Sequence, residues 1–171
     1  MQNSKSTVAT PSLKRRLICL VYEAFLATAV AAFGMFIFLF LSQKLIEPVI
    51  YYGPSVTLFL VLGAYFIHAW TGSGHTLAMK TWRIKIVMLG HARVPFRAAA
   101  LRYILAWGWV LPALVISYRL HLSPGRTGIA VAVGIVAWAL TALLDKDRQF
   151  LHDKLARTRL ISLPPRVKIA K

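Results

Sequence analysis

The chain has 171 residues, enough for one domain, yet 58% of them are apolar and only 15% are charged, against about 45–50% and about 25% in soluble domains. A formal net charge of +16 is an excess that nucleic-acid binders often carry. Here, however, the basic residues stand between long uninterrupted apolar runs, which argues for an anionic bilayer surface as partner and against nucleic acid. The single cysteine, Cys19, excludes an intramolecular disulfide.

Residues 1–13 carry no apolar periodicity over most of their length and are expected to form a disordered N-terminus. The first apolar run, residues 17–41, contains one charge, Glu23. Although Lys14-Arg15-Arg16 precedes it as in a secretory leader, the run far exceeds the ~7–15 residues of a leader's apolar core, so it reads as a retained span. Residues 49–70 form a second run without charge. Residues 103–118 form a shorter third one that carries Pro112. That run either kinks or borrows residues 98–101, in which case Arg102 would snorkel to the interface. Residues 127–144 complete the set. A helix needs about 20 apolar residues, within a range of roughly 17–25, to cross the hydrocarbon core. The pattern therefore predicts an all-α membrane protein of about four transmembrane helices within residues 14–163, followed by a basic tail, residues 164–171.

The loop between the second and third runs, residues 71–102, is structured and basic. Gly72-Ser73-Gly74 opens it and is too short for a phosphate-cradling loop, since no Gly-Lys-Ser/Thr follows. Trp82-Arg83-Ile84-Lys85-Ile86-Val87 then alternates like a half-buried strand, and residues 158–163 alternate in the same way. A small strand pair joining the two, or two amphipathic segments lying on the membrane surface, would explain these letters.

Lysine and arginine fix an orientation. They crowd the segment before the first run, the central loop and the segment after the fourth run. Only Lys44, Arg119 and Arg126 of the 21 lie in the remaining two loops. The positive-inside rule then places both termini and the central loop in the cytoplasm, with anionic lipids of that leaflet as partners.

Glu23 is the side chain that most invites a function. A charge near mid-bilayer costs roughly 2.5–3.5 kcal/mol even on the lenient insertion scale, and such residues pair, line a polar cavity or titrate. Arg16 precedes Glu23 by seven residues and projects from nearly the same helix face. Glu23 is thus either a proton- or cation-binding carboxylate or a structural partner of a basic group such as Arg16. After the fourth run, Asp145-Lys146-Asp147-Arg148-Gln149-Phe150-Leu151-His152-Asp153 packs three of the chain's five acids among bases. An ion-pair network that ties the loops together explains it better than a metal site, because His152 and Asp153 are adjacent and no spaced ligand set accompanies them. No metal, cofactor or catalytic constellation is expected, and hence no enzyme.

Residues 15–23, the string GHTLAMKTWRIKIV (residues 74–87) and the tail RQFLHDKLARTRLI (residues 148–161) together resemble the RDD family of bacterial membrane proteins. By position, Arg16 matches the arginine for which that family is named, and Asp153 matches its C-terminal aspartate. Glu23 stands where the first aspartate is found, one methylene longer, and Ala78 stands where the family often has glycine. The resemblance implies a multi-pass protein of the bacterial inner membrane with a transport role, cation/proton exchange in some members. It gives Arg16, Glu23 and Asp153 the central places; Arg15 and the charged cluster's His152, Asp145, Asp147 and Arg148 are expected to support them. Four short spans are few for alternating access, so a homo-oligomer would be needed to enclose a pathway. The reading from a different class is a non-catalytic membrane module that binds a partner protein or anionic lipid through its basic surface, by way of Arg83, Lys85 and Arg93.

Overall fold

The structure, a computed structural model, describes residues 9–44, 47–143, 145 and 149–164. Most of the expected disordered N-terminus and nearly all of the expected basic tail lie outside these residues, as do Asp147, Arg148 and Leu144. Within them, four helical stretches are long and apolar enough to cross a membrane: Leu13–Leu41, Val49–Thr81, Phe96–Arg119 and Pro124–Leu143.

Helix α1, Leu13–Leu41, starts earlier than its apolar run because Ser12 caps it, the hydroxyl accepting from the Arg15 amide at 3.3 Å. Helix α2, Glu47–Gly72, is continuous through Pro54. α1 and α2 touch closely at Gly34, where a Cβ would come within 2.8 Å of the Val61 side chain. A short helix α3, Leu77–Thr81, follows.

The third stretch departs from the expected 103–118. It begins with α4, Phe96–Ala106, tightens into a 3-10 turn at Trp107–Trp109 and resumes as α5, Leu111–Arg119. Pro112 lies in the first turn of α5, so the break falls just before it, where the ring would otherwise oppose a continuous ladder. Residues 98–101 are therefore part of this span, but Arg102 does not snorkel: only 7% of it is exposed. Helix α6, Pro124–Leu140, begins with proline at its first position and runs into a 3-10 turn, Thr141–Leu143. A five-residue helix α7, Leu151–Leu155, closes the helical set.

The two alternating segments do pair. Strand β1, Ile84–Val87, runs antiparallel to β2, Arg159–Ser162, with Ile84 opposite Ser162 and Ile86 opposite Leu160. Ile84, Ile86 and Leu160 turn inward and are almost fully buried. Gly74 lets the chain reach this sheet. Its φ of 78° is a left-handed value, its carbonyl accepts from the Ile86 amide at 2.7 Å, and a Cβ there would lie 2.9 Å from the Ile86 carbonyl oxygen.

Packing concentrates at one end of the bundle. Trp70, Met79, Ile84, Ile86, Ala99, Phe150 and Leu160 belong to one buried cluster, whereas Phe25, Phe33, Phe36 and Phe40 of α1 are about two-thirds or more exposed, as lipid-facing side chains are. The N-terminal segment, the central loop and the C-terminal segment meet at the packed end. The Ser162 amide donates to the Ala9 carbonyl and the Leu163 amide to the Arg83 carbonyl, both at 2.8 Å. Segments so bonded share one side of any membrane that the helices cross.

Candidate functional site

The consecutive arginines at the foot of α1 part company. Arg15 turns to the loops: its Nε donates to the Trp82 carbonyl at 2.7 Å, Nη1 to the Ser162 hydroxyl at 2.7 Å and Nη2 to the Arg83 carbonyl at 3.3 Å. It clamps the helix to the turn just ahead of β1 and to the end of β2. Arg16 turns inward, 2% exposed, with Cζ 4.7 Å from the centre of the Phe150 ring.

About two turns further up α1, Glu23 is buried as well, at 8% exposure. Arg16 and Glu23 line the same cavity, as their seven-residue spacing requires. The carboxylate nevertheless takes its partners from elsewhere. The Tyr65 hydroxyl of α2 donates to Oε1 at 2.9 Å, and the Thr76 hydroxyl donates to Oε2. Thr76 in turn caps α3, accepting from the Met79 amide at 3.2 Å. No ion pair to Glu23 is formed among the described residues. Of the two alternatives for this acid, the basic partner is not found among the described residues; two hydroxyls hold the carboxylate, because α2 and the entry to α3 are what pack on this face of α1.

Asp153 receives the arginine instead. It is fully buried, and its Oδ1 accepts from Arg102 Nε at 2.7 Å, an ion pair across 51 residues of sequence. Arg102 also stacks over Trp70, with 4.2 Å from Cζ to the ring centre. Next to Asp153, His152 lies between Trp138 and Phe150, nearly parallel to both rings. Trp138 Nε1 donates to His152 Nδ1 at 3.2 Å, and His152 Nε2 lies 3.5 Å from Asp153 Oδ1. Burial drives the imidazole pKa from 6.5 down to about 4; Asp153 opposes this and Arg102 reinforces it. Asp145 is structural: Oδ2 accepts from the Gln149 amide at 3.0 Å and Oδ1 from Lys154 Nζ at 2.8 Å.

Glu23, Arg102 and His152 all reach one cavity of about 580 Å3, whose walls are otherwise mostly apolar and include Leu20 of α1, Phe66 of α2, Trp107 and Ile135 of α6. α1 packs on α2, α2 on α4 and α5 on α6, whereas among the described residues no extended packing joins α1 to α6. They flank the cavity.

Comparison with family models gives one match, to the RDD family, over residues 10–157. The chain belongs to the RDD family. No curated protein and no solved structure matches it. The matched region of this RDD protein includes Arg16, Glu23 and Asp153 together with the groups that hold them. Sequence reading did not single out Thr76, Tyr65 or the Arg102–Asp153 pair. Thr76 left a signal, a threonine just ahead of a short apolar helix. Tyr65 and Arg102 left none, since their partners lie 42 and 51 residues away.

Proposed function

We propose that this RDD protein is a cation/proton exchanger of the bacterial inner membrane, with Glu23 as the exchanging carboxylate. One observation carries the reading: Glu23 is buried in a membrane span, on the wall of a cavity, held by two hydroxyls and paired with no cation among the described residues. A carboxylate without a counter-charge is costly at that depth. A bound proton or a bound monovalent cation removes the charge, and hydroxyl oxygens are suitable companions for either. Exchange of one for the other is then the natural cycle of the site, which makes the protein a carrier rather than an enzyme.

The uneven distribution of lysine and arginine supports a cytoplasmic position for the packed end and for both termini. The lack of extended packing between α1 and α6 among the described residues supports a homo-oligomer, in which a second copy would complete the wall.

The test is cation-driven proton movement in everted vesicles or proteoliposomes. Glu23→Gln should abolish it and Glu23→Asp should retain part of it, while Arg83→Gln, Lys85→Gln and Arg93→Gln leave it intact. Equal activity in wild type and Glu23→Gln, or none in either, removes the exchanger.

A second reading has its own observation. Leu89 and Phe96 are 82% and 67% exposed beside the exposed Arg93 and Arg97, an apolar and basic surface suited to an anionic leaflet. Under that reading, loss of loop charge abolishes the protein's association with anionic lipid, and Glu23→Gln does nothing.

A further inference from the structure

We propose that Arg102 is a counter-cation shared by two carboxylates, held by Asp153 while Glu23 is loaded and turning to Glu23 when Glu23 gives up its proton or cation. This rests on, and deepens, the exchange reading of Glu23.

The geometry points this way on two counts. First, Arg102 and Glu23 line one cavity. Second, the Arg102–Asp153 pair is unsaturated on both sides. Among the described residues the guanidinium uses only Nε, its two Nη groups making no hydrogen bond. Asp153 Oδ2 is fully buried and equally without one. A buried arginine that spends one of its five N–H donors can take a second acceptor without abandoning the first. The other titratable or charged groups facing this space are Arg16 and Cys19 of α1, Tyr65 of α2, Tyr103 of α4 and His152 of α7. Of these, Arg16 lies over Phe150, and His152 is held neutral by burial.

Charge balance gives the sharing its consequence. With Arg102 serving both Asp153 and Glu23, the trio is neutral when one proton or one monovalent cation is bound. Release of that ion from Glu23 draws the guanidinium upward, and loading returns it to Asp153. Arg102 is therefore a charge-balancing residue, and Asp153 sets how readily it is lent.

The test is an infrared titration of purified protein in detergent, following the Glu23 carboxyl band identified by its loss in Glu23→Gln. Asp153→Asn releases Arg102 to Glu23, and the midpoint of the band should move to lower pH by about one unit. Arg102→Gln combined with Asp153→Asn removes both charges, and the midpoint should move about one unit to higher pH. Arg102→Lys should keep the midpoint on the wild-type side of that double variant. If Asp153→Asn does not fold, the double variant decides alone. A wild-type midpoint, or a shift of the opposite sign, in the variants that fold overturns the proposal. The readout does not depend on transport. Vesicles without exchange, alongside the expected midpoint shifts, would sink the exchanger and leave the shared cation standing.

Discussion

Two buried acids at the packed end of this bundle are stabilised in opposite ways. Asp153 is 0% exposed and has a guanidinium at 2.7 Å; Glu23 is 8% exposed and has two hydroxyls. What each acid receives is decided by the element that packs against it. α7 lies on α4, which supplies Arg102, whereas the cavity face of α1 meets α2 and the cap of α3, which supply Tyr65 and Thr76. A paired buried charge is a fixed element of structure. A carboxylate surrounded by hydroxyls is suited to gaining and losing an ion.

That contrast breaks most readily at Arg102. Arg102→Met strands Asp153 as a buried unpaired charge, and removing one member of such a pair costs about 3–5 kcal/mol. Thermal or denaturant unfolding in detergent should show the loss. Arg102→Met combined with Asp153→Leu should recover most of it, because replacing both partners leaves no stranded charge. If the double variant is no more stable than the single one, Arg102 acts through its stacking on Trp70 and the contrast between the two acids is wrong.

On the Glu23 side the effects should be smaller and graded. Thr76→Val removes both a donor to the carboxylate and the cap of α3, for a loss of about 2 kcal/mol. Tyr65→Phe removes one donor only and should cost about 1 kcal/mol. Thr76→Ser keeps both functions and should resemble wild type in the same unfolding measurement. Equal losses at Thr76 and Tyr65 would show that the cap contributes nothing.

How much of this was legible beforehand follows the same division. The spans and the strand pair could be read because their signal is local: apolar runs for the helices, and alternation at Ile84, Ile86 and Leu160 for the sheet. The start of the third span could not, because Arg102 reads as a boundary until Asp153 is known to meet it. Arg16 and Glu23 were rightly placed on one face by their spacing, yet spacing along one helix says nothing of what a neighbouring helix offers. Hence spacing left both readings of Glu23 open, and its hydroxyl partners came into view only with the packing of α2 and α3.

His152 offers the finest sharpening of the comparison, since it lies on the paired side and titrates in a measurable range. Its Nδ1 accepts from Trp138 Nε1, so the remaining proton sits on Nε2, directed toward Asp153 Oδ1 at 3.5 Å. Burial lowers the folded-state pKa to about 4 from an ordinary 6.5. Because the folded value is the lower one, the unfolded chain takes up the proton first as pH falls. Stability is fully present above about pH 6.5 and is lost progressively down to about pH 4, with about 1 kcal/mol gone near pH 5.5. His152→Gln, which can still accept from Trp138, should flatten this part of the stability profile whatever it costs at neutral pH. An unchanged slope between about pH 6.5 and 4 in that variant would mean that the imidazole is reached by water, and that the Asp153 side is no drier than the cavity around Glu23.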